Sequence, residues 1–311
     1  MKNIFDQNVY TIIKETKKEI VYSVVCDESV HLTGPFIRTI PDDFLLILIL
    51  NGVSEENENE INTVIKNHSS IITVKNQSGQ WRLSHGGVIT ELCHKMSGDF
   101  FILDPDCFVF DKNIFKMMSL APGEIAASPL YFYGSHGLPC PRTYCIKLRP
   151  SYVAEIMEKY SITCEIYSGL PLHLKNPVYG EIFSPYWGKK QYFDTLQLLL
   201  AKPLNPYTIK FIDPVPGAIE HIGGTVWGLS GLQNIKNIPE FLAEDPLNIH
   251  IVKRCSTAIY FHLLFFEKNN SVNKSFHAAL VKLYESSENF LKKYKQYINA
   301  AQIKTIIERL P

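Results

Sequence analysis

The stretch GDFFILDPDCFVFD, residues 98–111, decides the fold. Four apolar residues, Phe100 to Leu103, are preceded by one acid and end abruptly in two more, Asp104 and Asp106, with a single proline between them. A run this short and this apolar reads as a strand buried on both faces. Similar runs lie upstream at residues 20–26, 44–50 and 70–74. Between them lie segments of helical length, residues 56–67 and 84–96, and in the second of these Val88, Leu92 and Met96 recur every four residues. Strands alternating with helices predict an α/β fold, a parallel Rossmann-like sheet with flanking helices. Ligands in such sheets bind beyond the carboxyl ends of the strands, so the residues just after each apolar run are where chemistry belongs.

Two carboxylates this close repel each other and are costly to remove from water, so a strand end that presents both invites a cation or a hydrogen-bond network. An oxygen-rich site suits Mg²⁺ or Mn²⁺, which also accept diphosphate oxygens and waters. The competing reading is a turn in which Asp104 caps the following segment and Asp106 is only solvated.

The surroundings of this stretch resemble the GT-A glycosyltransferases, in particular the large family 2 group. In that family a small residue and an acid, an apolar strand and a DxD-type turn follow one another, as Gly98-Asp99, Phe100 to Leu103 and Asp104-Pro105-Asp106 do here. The resemblance implies a metal held by Asp104 and Asp106, with Asp104 also facing the donor. It extends upstream to Leu50-Asn51-Gly52-Val53-Ser54, similar in shape to the D-N-G-S turn of the family with Leu50 in place of the acid, which makes Asn51 a donor-side residue. Cys26-Asp27-Glu28 stands where such enzymes contact the nucleoside, so Asp27 is expected at the base or ribose. Gly79 to Val88 resembles the Gly-containing stretch that leads into the helix before the DxD strand, and the resemblance sets Arg82 or His85 against the donor diphosphate or sugar, with Gly86 and Gly87 permitting close backbone approach. The bland alternative makes Ser84 a helix cap and His85 a surface residue.

Downstream, Asp194 in QYFDT stands where related enzymes place the acid that accepts the acceptor hydroxyl's proton, or else it is a carboxylate stabilised at a helix N-terminus. His221, before Gly223-Gly224-Thr225, looks like the late histidine that supplies a metal or phosphate contact in many GT-A enzymes. The activity implied is a metal-dependent transfer, hexosyl in type, from a nucleoside-diphosphate sugar, UDP-linked by first expectation, to an acceptor hydroxyl that the residues do not identify. Two rivals stand beside it. A GT-A-like domain without catalysis would bind a nucleotide-sugar or a partner protein. A haloacid-dehalogenase-like phosphatase also carries an apolar strand and DxD, but here Cys107-Phe108 follows in place of Gly-Thr, and Glu244-Asp245 is the only imitation of its downstream acidic pair.

Toward the C-terminus the pattern loosens. Residues 123–231 are rich in Pro, Gly and Tyr, with strands expected near 125–131, 144–148 and 209–212. One helix is expected to open at Pro150-Ser151 with Ser151 as its cap, and another to run over about 190–201. From residue 239 onward the pattern is helical, with Leu280, Leu283, Tyr284, Leu291 and Tyr294 opposite Lys282, Lys292, Lys293 and Lys295, the mark of a solvated helix face. The expected organisation is a GT-A-like unit over 1–235 and a helical C-terminal extension over 236–311.

Composition sets limits on function. With 31 basic and 31 acidic residues in 311, no bulk field favours nucleic acid or an anionic membrane, and any phosphate affinity is local. The seven cysteines are scattered without CxxC spacing and read as buried free thiols of a reducing compartment. No secretory pattern opens the sequence, and the strongest apolar runs, 44–50 and 259–266, fall short of the roughly 20 residues of a membrane span. The expectation is a cytoplasmic protein without a span.

Overall fold

The computed structural model describes residues 7–129, 132–133, 138–139, 141–183, 193–223 and 300–310, with residues 253, 256–258, 260–262, 264–265 and 298. The lysine-backed stripe of 280–295, Glu244-Asp245, Gly224-Thr225, Cys140 and Cys255 lie outside the described residues. In chain order the strands are β1 (Ile20–Val25), β2 (Leu45–Leu50), β3 (Ile71–Lys75), β4 (Phe100–Leu103), β5 (Cys107–Val109), β6 (Glu124–Pro129), β7 (Phe132–Tyr133), β8 (Leu138–Pro139), β9 (Cys145–Leu148), β10 (Thr208–Ile212) and β11 (Ile219–His221). The α-helices are α1 (Gln7–Glu15), α2 (Thr33–Ile37), α3 (Glu55–Ile65), α4 (His85–Lys95), α5 (Asn113–Met117), α6 (Pro150–Tyr160), α7 (Pro177–Phe183), α8 (Gln197–Leu200) and α9 (Ala300–Arg309).

Seven strands form one mixed sheet in the order β10-β6-β9-β4-β1-β2-β3. All six residues of β2 are buried, which is why LLILIL carries no polar alternation: both of its faces are covered. β1 pairs in parallel with β2 on one side and β4 on the other, and β9 runs antiparallel between β4 and β6. The chain therefore winds outward from β1 through β2 to β3, then returns to the opposite side of β1 as β4. Strand order reverses between β1 and β4, and the crevice at their carboxyl ends is where an α/β sheet offers a ligand site. Asp27 follows β1 and Asp104 follows β4, so both open onto that reversal.

Alternation along each strand divides the core in two. Phe100 and Ile102 join Tyr22, Ile47, Ile49, Val88, Leu92, Val153 and Leu199 on the face covered by α4, α6 and α8. Phe101 and Leu103 join Leu46, Leu48, Ile61, Phe108 and Phe115 on the other, together with Phe261, Phe265, Ile303, Ile306 and Ile307. The described part of 236–311 thus packs into the same core as the sheet. The five described cysteines, Cys26, Cys93, Cys107, Cys145 and Cys164, are free and buried. Among the described residues no helix is long and apolar enough to cross a membrane.

Two local expectations are corrected. Ser151 does not cap α6: the helix starts at Pro150, whose fixed φ suits the first helical position, and Arg149 holds the cap position without a side-chain cap bond. Arg149 is instead tied to Asp99 (Nε to Oδ1 3.1 Å, Nη2 to Oδ2 2.9 Å) and to the carbonyls of Leu120 and Ala121. Nor does one helix run over the described part of 190–201. Phe193 bridges to Tyr167 as extended backbone, Leu196 takes a left-handed φ of 64°, and only Gln197–Leu200 is helical. The short strands β5 and β11 carry no sequence signal of their own, since three residues are too few to show a period.

Candidate functional site

The site is built around the end of β4. Asp104 N donates to Tyr144 O (2.9 Å), and Cys107 N donates back to Asp104 O (2.9 Å), so Pro105 rides in a tight turn that leads straight into β5. β5 pairs antiparallel with β11, setting Cys107 opposite His221, and Ile222 N donates to Asp106 O (3.1 Å). This pairing delivers the His221 imidazole to the acids: Nε2 lies 3.3 Å from Asp106 Oδ1 and 4.0 Å from Asp104 Oδ2. One donor atom from each of Asp104, Asp106 and His221 falls within 4.8 Å of the others. Tyr144 stacks on the His221 ring (3.8 Å between centroids, 23° between planes), and the Arg142 guanidinium lies 5.4 Å from the Tyr144 centroid. Neither Tyr144 nor Arg142 stands out in the sequence, because their roles come from a strand pairing that brings distant segments together.

Burial and neighbouring charges perturb Asp104, His85 and two histidines beneath them. The Asp104 carboxyl is pushed up to about 7, first by burial and next by the Asp106 charge, with His221 opposing and Asp194 adding to the rise. His85 opens α4 with Nε2 3.5 Å from Asp104 Oδ1. Burial holds its pKa down against the fields of Asp194, Asp106 and Glu165, which leaves a neutral ring. Its Nε2 is shielded from solvent and makes no hydrogen bond within the protein. Asp194 reaches both groups electrostatically from the turn after Phe193, where its Oδ1 accepts from Thr195 N (2.8 Å) and its own N donates to Gln197 Oε1 (2.8 Å). Beneath the acids lies a buried imidazole pair that sequence reading missed: His31 Nε2 and His262 Nδ1 are 2.9 Å apart. Burial pushes His262 down to about 4, with the Asp106 charge acting the other way, and His31 is lowered by burial and by His262.

On the β1–β2 side the structure gives the expected donor residues other partners. Asp27 Oδ1 accepts from Ser54 N (2.7 Å), Ser54 Oγ (3.1 Å) and Asn57 Nδ2 (2.8 Å), and so organises the start of α3. Asn51 is only 2% exposed and lies beneath the surface. Its amide donates to Leu83 O (2.9 Å) and accepts from Leu83 N (2.8 Å) and Asn76 Nδ2 (3.2 Å), so it fastens the 76–83 segment. Arg82 pairs with Glu28 (3.0 Å) and lies over Gly52, where a Cβ would come within 3.2 Å of it. Ser84 caps α4, accepting from Gly87 N (3.0 Å) and donating to the Glu165 carboxylate. Gly86 and Gly87 do permit close approach, but to protein: a Cβ on Gly86 would sit 2.5 Å from Cys164 O and one on Gly87 2.9 Å from Glu165 Oε1. Ser84 is thus the cap of α4, and the cap aims His85, the first residue of the helix, at Asp104.

Residues 5–153 match the family model described as the StrH glycosyltransferase N-terminal domain. The resemblance to glycosyltransferases is borne out over this stretch, which takes in β1 to β6, β9, the Asp104-Pro105-Asp106 turn and His85, and stops before Asp194 and His221. No curated protein matches the sequence. Among solved structures, the chain is similar to the mannosyltransferase PcManGT from Pyrobaculum calidifontis in complex with GDP-Man and Mn²⁺, at 11% identity and a TM-score of 0.38 over 97% of this chain and 92% of that one. It is similar to the glycosyltransferase GlyE of Streptococcus pneumoniae TIGR4 at 10% identity and a TM-score of 0.42, over 75% of this chain and 54% of that one. The WbbM bifunctional glycosyltransferase aligns at 11% identity and a TM-score of 0.40 over 64% of this chain, which spans 39% of WbbM.

Proposed function

We propose that the protein is a metal-dependent glycosyltransferase that moves a sugar from a nucleoside-diphosphate donor to an acceptor hydroxyl. The observation that carries the reading is the convergence of Asp104, Asp106 and His221 at the carboxyl end of β4, where the sheet reverses its strand order. Two carboxylates and one imidazole fit a hard divalent cation, Mn²⁺ or Mg²⁺, with coordination positions left over for diphosphate oxygens and water. The raised Asp104 carboxyl fits too, since a cation is the partner that relieves two acids held together in a partly dry site.

A bound cation would neutralise charge on the departing diphosphate as Lewis acid and template. The chain's own groups supply the rest. Asp104, Asp106 and His221 would hold that cation. His85 offers Nε2, which makes no hydrogen bond within the protein, to a phosphate or sugar oxygen, which would satisfy a shielded atom that costs about 1–3 kcal/mol to leave without one. Arg82, 35% exposed at its side chain, can exchange part of its pairing with Glu28 for the donor. Asp27 keeps Oδ2 for the ribose or base while Oδ1 holds α3. Asp194 takes the proton of the attacking hydroxyl if transfer inverts configuration, the outcome that similarity to family 2 implies. UDP-sugars are the donors to try first, and hexose transfer the first activity.

A domain that binds nucleotide-sugars without turnover is the second reading. Calorimetry with UDP and GDP, with and without Mn²⁺, decides the first point: metal-dependent binding is expected in the wild type and lost in Asp106→Ala, with a smaller loss in His221→Ala, which removes one contact but no charge. Equal metal-dependent affinity in wild type and Asp106→Ala refutes the site. Slow, metal-dependent hydrolysis of a nucleotide-sugar without acceptor then separates an enzyme from a binder.

A further inference from the structure

His221 sits on a three-residue strand, and β5 is as short, so the ribbon they form cannot hold an imbalanced load without support. That support comes from α9. Ile303, Ile306 and Ile307 are buried in the core shared with Phe108, which docks the helix behind the ribbon. Two polar side chains of α9 then hold β11 directly. Gln302 Nε2 donates to Glu220 Oε2 (2.8 Å), one residue before His221, and Arg309 Nη1 donates to Gly217 O (2.7 Å) in the turn that leads into the strand. The Arg309 guanidinium also covers the Phe110 ring at 4.0 Å, and both Phe110 N and Asp111 N donate to Ala218 O (2.9 and 3.2 Å). One helix residue thus bridges the ends of both strands. Gly217 has a left-handed φ of 80°, and a Cβ there would come 2.8 Å from Arg309 Nη1, so the turn is shaped to admit that arginine.

We propose that α9 is a clamp that fixes His221 in the cation site, with Gln302 and Arg309 as positioning residues for metal binding. The proposal rests on the metal reading above. An imidazole contributes to a cation only from a fixed position, and without the clamp a pair of three-residue strands samples several. The clamp acts through the strand backbone and touches neither donor nor acceptor.

Mn²⁺ titration calorimetry on the full chain tests it. Gln302→Ala is expected to weaken Mn²⁺ binding about tenfold, the low end of what outer partners of metal ligands contribute, and Arg309→Lys to weaken it in the same direction. In a His221→Ala background the same substitutions should cause no further loss, because the ligand they position is gone. Gln302→Glu should weaken binding by setting two carboxylates together, and adding Glu220→Gln should restore it by re-forming the hydrogen bond in reverse. Full affinity in folded Gln302→Ala, or an equal loss with and without His221, overturns the clamp. If the wild type takes up no Mn²⁺ the metal reading fails by itself. The His221 ring-proton NMR signals of the metal-free protein then report the clamp, and no change in them on Gln302→Ala overturns it.

Discussion

Lowering the pH should weaken cation binding through Asp104, and the structure sets the scale. The Asp104 carboxyl is raised to about 7, with burial the larger cause and Asp106 the next. A ligand carboxyl must lose its proton to bind a cation, so affinity falls tenfold for each pH unit below the carboxyl's pKa and levels off above it. Relative to pH 8, Mn²⁺ binding should weaken about tenfold at pH 6 and about a hundredfold at pH 5 from this group alone. Without metal the sign for stability follows from the same shift. Between the unfolded carboxyl value and about 7 the folded chain holds a proton on Asp104 that the unfolded chain has lost, so the Asp104 contribution to the stability of the metal-free protein declines as pH rises through that window. Saturating Mn²⁺ should cancel the decline. Calorimetry in buffers of differing ionisation enthalpy reads the proton released on binding, expected near half a proton from Asp104 at about pH 7. In Asp106→Asn, which removes the charge beside Asp104, the Asp104 part of the dependence should move to lower pH. A metal affinity flat from pH 8 to 5, or proton release unaltered by Asp106→Asn, would refute the coupling.

Other outcomes follow from single contacts. Asp194→Asn keeps an oxygen for Thr195 N, so the turn should survive while kcat falls about 10²- to 10⁴-fold with little change in donor KM, the mark of a lost general base; wild-type kcat on the true acceptor would remove Asp194 from the mechanism. Gly86→Ala drives a methyl against Cys164 O at 2.5 Å and Glu165 Cα at 2.6 Å, both backbone, so α4 must shift, with a loss of about 1–3 kcal/mol in chemical denaturation and weaker donor binding through His85. Ser84→Ala removes the cap of α4 and should lower stability by about 1 kcal/mol, read as a drop in the denaturation midpoint. Asp99→Ala breaks the Arg149 pair at the opposite end of β4 and should lower Tm while leaving Mn²⁺ affinity intact.

Much of the sheet is legible in the sequence because its strands are buried on both faces. Residues 44–50 and 100–103 have no polar positions to blur their limits, and α3 and α4 begin within a residue of the expected starts. The acids of the site are legible for the same reason: a charge at the end of such a run has nowhere to go but out of the sheet. What escapes is whatever depends on partners far along the chain. Asn51 looks like a ligand contact in a turn, yet its amide is matched to the backbone of Leu83 on both sides. Gly86-Gly87 signals a close approach without saying to what, and Cys164 and Glu165 are the answer. His31 and His262 are 231 residues apart, and no local pattern joins them. The expected helix over 190–201 fails because Tyr167 claims Phe193 as extended backbone and Leu196 turns left-handed, neither of which propensity can foresee.

The pairing of β5 with β11 also bears on the order in which the protein matures. Asp104 and Asp106 leave the ribosome before β6, β9 and β10 have been made, whereas His221 is synthesised after every strand of the main sheet. A nascent chain halted anywhere before β11 carries the acidic turn but not its third partner, and the mutual repulsion of the two carboxylates goes unanswered until the chain returns. The three side chains are thereby brought together only after the main sheet has been built, and on the reading proposed above full affinity for a divalent ion would mark chains that have added β11 to that sheet.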